Sequence, residues 1–372
     1  MKAHGPARAR EHGTEPTTVA RRPRWLALGL ASVVVLALGP SSSAESGTVT
    51  PAPAAGPAGA STVVTARLDR KRVRRAIEHV RSATAYRYLT RDDRGTSLDT
   101  LKVVPSPAGG YLGVYHAQVG GVFVTELARS KDLLRWNHVV DLAVHGSQPT
   151  IAPLSDGGFL VAYEQDSGCT GTGPGGNCLA FRHYATLAEL LVGAADRSFQ
   201  APRTLSRCAE GTPNIYGADL QPDIAHSAID VGFHYFRGCN VDRQARGSLR
   251  NFSSWSAHSD ARLNRALEAF RPRGNIGDRD YLSLPGGGLT IHEVQFAKGN
   301  FGSWRAYLYD WPAKQASRLA IRTHRGSAAF ANPTFTSLVS PRGRPAILVT
   351  VFIPSERSAR GENGELVYYR EL

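Results

Sequence analysis

The sequence predicts an all-β fold, a five-bladed β-propeller, from three observations. A unit of two short strands recurs five times after residue 96, the copies start 49, 64, 66 and 54 residues apart, and Gly, Pro and Ser fill the turns between the strands. Repeats of about 40 to 50 residues or more, each holding a few short strands, form blades around a central channel.

Residues 1–44 read as an export signal. An arginine-bearing stretch ending at Arg21, Arg22 and Arg24 precedes an apolar run from Trp25 to Gly39, followed by Ser42-Ser43-Ala44. That is a charged region, an apolar core and a small-residue cleavage site. The apolar run is shorter than the roughly 20 residues a membrane-crossing helix needs, so cleavage near Ala44 and no membrane span afterwards are expected. The Arg21-Arg22 pair leaves the route open between general and twin-arginine export.

Residues 45–65 hold Pro51-Ala52-Pro53-Ala54-Ala55-Gly56-Pro57 and lack the large apolar residues of a core, which predicts a disordered linker. Residues 66–83 come next, with Leu68, Val73, Ile77 and Val80 at near-helical spacing among seven Lys/Arg and two Asp/Glu. The spacing predicts a short basic amphipathic helix docked on the domain. The formal charge is +13, or +9 without residues 1–44, and this helix carries +5 of it. No aromatic residues interleave these charges to stack on bases, so no nucleic-acid partner is expected.

Residues 84–372 make the propeller, with inner strands starting at Asp99, Gln148, Thr212, Asp278 and Asn332. Second strands follow at Tyr111 to His116, Phe159 to Glu164, Ile229 to His234, Leu289 to Glu293 and Ala346 to Val351. Third strands are placed at Val122 to Leu127, Leu179 to Tyr184, Leu249 to Phe252, Trp304 to Tyr309 and Leu366 to Tyr369. The fifth unit ends after its third strand, so Ala85 to Thr90 is expected to supply its outer strand and close the ring, hiding an edge. Thr100, Thr150, Asn214, Asp280 and Thr334 are aligned as channel-facing, with Leu101, Ile151, Ile215, Tyr281 and Phe335 pointing into the blades.

Four cysteines in an exported chain read as two disulfides, Cys169 with Cys178 across a glycine-rich tip and Cys208 with Cys239. No CxxC or clustered histidine spacing suggests a metal site, and no cofactor motif is present.

The second strand runs antiparallel to the first, so its end lies beside the first strand's beginning. His116, Glu164, Tyr235, Glu293 and Gln295 should therefore gather at one mouth with Asp99, Gln148, Glu210 and Asp278. A mouth collecting ionisable groups is where a ligand should bind.

Ser130-Lys131-Asp132-Leu133-Leu134-Arg135-Trp136 resembles the Ser-x-Asp-Leu-x-x-Trp blade turn of the five-bladed arabinanase, invertase and levansucrase-like glycosidases. In such a turn Ser130 or Asp132 caps a short helical turn and Trp136 packs back between blades. Glu210-Gly211-Thr212-Pro213-Asn214-Ile215-Tyr216 is similar to the segment carrying the general acid in arabinanase-like members, and Asp99 corresponds to their general base or nucleophile. Glycoside hydrolysis needs two carboxylates flanking the scissile bond, with pKa values pushed apart. The resemblance therefore implies Glu210 as acid and Asp99 as base or nucleophile. Asp278 or Asp280 would orient or tune them, and Arg279 would bind substrate. His116, Gln148, Glu164, Asn214, His292, Glu293 and Asn332 are the remaining candidate substrate contacts. The pattern also departs from that family: Glu210 opens the third blade rather than the fourth, Thr150 stands where an aspartate is common, and Asp99 lacks a following proline. The expectation is a secreted, monomeric carbohydrate-active protein, a glycoside hydrolase or a non-catalytic glycan-binding propeller.

Overall fold

The computed structural model describes residues 68–170 and 176–372, and the side chains of all of these except Asp278 and Arg279. The expected signal peptide and linker lie outside the described residues. Five four-stranded antiparallel sheets form five blades.

The first blade is β2 (Asp99–Pro105), β3 (Tyr111–Val119), β4 (Val122–Ser130) and β5 (Asn137–Val144), and the second is β6 (Gly146–Pro153), β7 (Phe159–Gln165), β8 (Cys178–Tyr184) and β9 (Arg197–Gln200). The third comprises β10 (Glu210–Asp219), β11 (Ala228–Arg237), β12 (Val241–Arg250) and β13 (Ser254–Ser259). The fourth comprises β14 (Ile276–Leu282), β15 (Leu289–Gln295), β16 (Trp304–Asp310) and β17 (Gln315–Arg318). The fifth has β18 (Ala331–Val339), β19 (Pro345–Ile353) and β20 (Gly364–Glu371), with β1 (Ala85–Arg87) as its outer strand. Ala85 pairs with Tyr369 and Arg87 with Val367, so the chain ends close the ring as expected.

Two placements differ from the sequence reading. The third strand of the third blade is Val241–Arg250, not Leu249 to Phe252, because the β11–β12 hairpin turns tightly at Arg237–Val241 and its ladder runs back to Ala228↔Arg250. In the first blade Lys102, not Thr100, occupies the position of Thr150, Asn214, Asp280 and Thr334, since Lys102↔Val114 matches Thr150↔Ala162 across an equivalent register shift.

The apolar core is divided into wedges between blades. Leu101, Tyr115 and Trp136 of the first blade pack with Leu348 and Val367 of the fifth, and Phe181 of the second packs with Phe233 and Leu249 of the third. The Ser130 turn is a bend with Leu133 left-handed at φ +69° rather than the expected helical turn, but its side chains hold it as caps would and Trp136 packs back between blades. Ser130 Oγ accepts from the Leu133 amide at 2.9 Å, Asp132 Oδ1 from the Arg135 amide at 2.8 Å, and the Trp136 indole donates to the Leu133 carbonyl at 3.0 Å. Gly113 makes room for that indole, since a Cβ there would lie 2.8 Å from Trp136 Cζ3.

Helix α1 (Arg70–Glu78) starts where Asp69 accepts from the Arg72 amide at 2.8 Å. It buries Val73, Ala76 and Ile77 against Ile321, Val349 and Tyr368. Two of its basic groups meet partners within the domain: Arg70 meets Asp310 at 2.6 Å, and Arg74 meets Glu78 at 2.9 Å and the Arg318 carbonyl. Both disulfides, Cys169–Cys178 and Cys208–Cys239, are formed.

Candidate active site

Every inner strand breaks register near the mouth, and β10 breaks it a second time between Ile215 and Gly217. The shifts fall between Asp99 and Lys102, Ser147 and Thr150, Gly211 and Asn214, Asp278 and Asp280, and Ala331 and Thr334. In four blades a residue inside the shift is left-handed: Thr100 at φ +62°, Gln148 at +51°, Thr212 at +53° and Asn332 at +48°. Such conformations are strained for side-chain-bearing residues and persist only where the surroundings hold them. Pro149, Pro213 and Pro333 follow three of them, unpaired in the ladder, where a missing N–H forfeits no strand bond.

The preceding blade supplies the hold. The Gln148 amide donates to His116 Nδ1 at 3.0 Å, the Thr212 amide to Glu164 Oε2 at 3.0 Å, and the Asn332 amide to Glu293 Oε2 at 2.6 Å. Each acceptor stands near the end of a second strand, so one repeated contact both locks neighbouring blades and fixes the mouth side chains. Because His116 Nδ1 is an acceptor, the neutral ring carries its proton on Nε2. Two glycines make the approach of the carboxylates possible: a Cβ at Gly211 would lie 2.1 Å from Glu164 Oε2, and one at Gly277 would lie 2.8 Å from Glu293 Oε1.

These groups surround an axial cavity of about 290 Å³ lined by Asp99, His116, Gln148, Glu164, Thr212, His234, Asp242, Asn275, Gly277, Glu293, Phe301, Trp304, Ala331, Asn332 and Phe352. Of the sequence candidates, Asp99, His116, Gln148, Glu164, Glu293 and Asn332 meet here. The backbone of Asp278 pairs with His292 beside the lining residue Gly277, while the Asp278 and Arg279 side chains lie outside the described atoms.

The other candidates are placed elsewhere. The Glu210 carboxylate is absent from the lining: its Oε1 accepts from the Thr204, Leu205 and Ser206 amides at 2.8, 2.5 and 3.0 Å, which ties the preceding loop to β10. Burial raises its carboxyl above the usual range against the pull of those three bonds. Asp280 is buried in the channel, where its Oδ2 meets Lys102 Nζ at 2.5 Å and accepts from the Phe335 amide at 2.9 Å. Asn214 shares that channel-facing register and is buried. His292 is fully buried, its Nε2 2.7 Å from Thr290 Oγ1.

Tyr235 and Gln295 do not line the cavity, and His234 does, because Gly211 pairs with His234. A signal for this was present: Phe233-His234 repeats the aromatic-polar pair of Tyr115-His116 and Tyr163-Glu164. Asp242, Asn275, Phe301 and Trp304 had no such signal, since they arrive from third strands and loops outside the repeated pattern, whereas Phe352 lies on the second strand of the fifth blade, paired with Ala331 at the position of His116, Glu164, His234 and Glu293.

Asp99 has an unusual neighbour. Its Oδ1 accepts from Ser97 Oγ at 2.5 Å, and burial raises its carboxyl above the ordinary range, opposed by that bond and by Arg91. Beside it on β20, Glu365 is wholly buried, with neither carboxylate oxygen in a well-formed hydrogen bond. Burial, then the proximity of Asp99, pushes Glu365 well above the usual carboxylate range. Away from the mouth, Glu126, His138 and Asp141 bring ligating atoms within 4.8 Å of one another, but the Arg94 guanidinium already bonds Glu126 at 2.6 Å and supplies the positive charge there.

The chain matches no family model and no curated protein. Its fold is the five-bladed propeller of the arabinanase-like glycosidases. It is similar to the solved structure of a BT0996 RGII complex (TM-score 0.52, 11% identity, covering 79% of this chain and 94% of the other). A thermostable family-43 glycoside hydrolase is similar too (TM-score 0.50, 10% identity, covering 77% and 93%). At these identities the likeness is one of fold.

Proposed function

We propose that the axial cavity binds a sugar residue and that the protein is a secreted glycoside hydrolase. The observation that carries this reading is the meeting of Asp99, Glu164 and Glu293 with His116, His234, Gln148 and Asn332 around one cavity. Carboxylates supply the acid and base of glycosidic cleavage, and histidine and amide groups bind hydroxyls. The fold shared with a family-43 glycoside hydrolase supports the same reaction class.

Asp99 is assigned as the proton donor to the leaving oxygen, since it lines the cavity and burial raises its carboxyl above the ordinary range. This reverses the base role its motif implied. Glu164 stands on the adjacent blade and is more exposed than Glu293, so it is the partner that activates water or attacks carbon. Asp278 is a further candidate in the fourth blade, and Glu210 is assigned to the fold alone. An export signal cleaved near Ala44 accords with the two disulfides, which persist in oxidising compartments. Among the described residues no helix is long and apolar enough to cross a membrane.

The test is release of reducing ends from a panel of plant and microbial polysaccharides. Asp99→Asn and Glu164→Gln should each lower kcat by roughly 10²- to 10⁴-fold, the range of general acid–base catalysis. Glu210→Gln should leave kcat within about threefold while lowering Tm. Because Asp99 acts protonated, activity should be lost as pH rises through its raised pKa. Full activity in Asp99→Asn would sink the assignment.

One observation favours a second reading, glycan binding without cleavage. Glu164 and Glu293 are both committed to backbone amides of the next blade. Sugar binding that survives in Glu164→Gln, with no reducing ends from any polymer, would establish it.

A further inference from the structure

A second cavity, of about 630 Å³, opens beside the first, and Phe301 lines both. Its wall carries Arg305 on β16, Arg318 on β17 and Arg357 in the turn after β19, with Glu356 as the one carboxylate among the described lining residues. Arg305 is pinned by its Nη1, which donates to the Gly302 carbonyl at 3.0 Å and the Trp304 carbonyl at 2.7 Å. Among the described residues none of the three arginines forms an ion pair, and the side chains of Arg318 and Arg357 form no hydrogen bond. Burial, and after it repulsion from Arg318 and Arg357, lowers the Arg305 pKa.

The cluster is built by close packing. A Cβ at Gly302 would lie 2.6 Å from Arg357 Cγ and 3.1 Å from Glu356 Cβ, so glycine lets the Phe301 turn approach the Arg357 turn. Phe301 itself is 54% exposed on the boundary between the cavities, an aromatic face available to a pyranose ring. Guanidinium forks bind carboxylates through paired hydrogen bonds.

We propose that this cavity is a subsite for an acidic sugar, a uronate whose carboxylate is held by Arg305, Arg318 and Arg357 while the neighbouring residue of the same glycan occupies the axial cavity. The inference rests on the sugar-binding reading of that cavity and adds the substrate class: an acidic glycan, bound across Phe301. A free inorganic anion would satisfy the arginines but not the aromatic face.

The experiment is calorimetric titration of the full-length protein with a uronic-acid oligosaccharide, its carboxyl-reduced neutral counterpart and inorganic phosphate, repeated with Arg318→Gln/Arg357→Gln. Both substituted side chains are exposed, so the variant should keep the parent Tm. The uronate should bind at least tenfold more tightly than the neutral oligosaccharide, and the preference should fall to within about twofold in the variant. Added salt should weaken uronate binding and leave neutral binding unchanged. Equal affinity for charged and neutral oligosaccharides, a preference that survives in the variant, or phosphate binding as tight as uronate would overturn the subsite. If neutral sugar does not bind while uronate binds through the arginines, the axial reading fails and the subsite stands. Absence of binding by either oligosaccharide overturns both.

Discussion

At the scale of single residues, buried carboxylates divide by what surrounds them. Glu210 is given three backbone amides and holds a loop, whereas Glu365 is given none of good geometry and lies against Asp99. A carboxyl whose folded pKa is raised binds its proton more tightly in the native state than in the unfolded chain. Stability is then complete below the unfolded value and falls as pH rises through the folded one. For Glu365 that window opens at the ordinary glutamate value of 4.5 and extends well above it. Glu365→Gln removes the ionisation and keeps the shape. Its stability relative to the parent should therefore grow as pH rises above the ordinary glutamate range, because only the parent is penalised for ionising a buried carboxyl. The flattening should be visible in Tm recorded from pH 4 to 9, and a variant whose Tm profile retains the parent slope would refute the account.

At the scale of elements, the strained bulge found in four of the inner strands is the device that makes a site out of a scaffold. At Gln148, Thr212 and Asn332 the bulge amide reaches the mouth side chain of the preceding blade, so fold and site share the same bonds. Gly211→Ala tests this directly, because the new Cβ would meet Glu164 Oε2 at 2.1 Å and the carboxylate must move. Displacing a reacting group by about 1 Å can cost on the order of 10²-fold in rate. The expected result is a loss of kcat approaching that of Glu164→Gln with Tm lowered by only a few degrees; parental kcat would show that Glu164 is not in the chemistry. The same device explains what the sequence disclosed. Proline recurred at the unpaired bulge position and advertised the repeat, and the alternating strands around it placed five blades and their closure. Glu210 looked catalytic because it precedes that pattern, yet the register puts it one residue before Gly211, turned toward residues 204–206. Lys102 was missed because the first blade has Leu101, not proline, inside its shift, which left the register of that strand unmarked.

At the scale of the whole molecule, the ring is closed twice, once at its rim and once through its centre. At the rim β1 pairs with β20, joining residues 85–87 to 367–369. Through the centre Lys102 of the first blade meets Asp280 of the fourth, two blades that share no strand pairing, and Lys102 also donates to the Phe335 carbonyl of the fifth. Both charges are nearly inaccessible, with side-chain exposures of 10% and 2%. Desolvating such a pair offsets much of its attraction, while removing one partner strands the other charge in the interior. Lys102→Met alone should therefore destabilise by about 3–5 kcal/mol, a loss characteristic of a broken buried pair. Lys102→Met with Asp280→Asn leaves no net charge and retains a side-chain oxygen for the Tyr281 or Phe335 amide, so it should recover most of that loss. Denaturant unfolding of the parent, both single variants and the double variant gives the coupling energy. If the two single losses simply add, the channel pair is incidental. If they cancel, the pair specifies which blades face each other across the axis, and stability passes through the same channel that opens into the site.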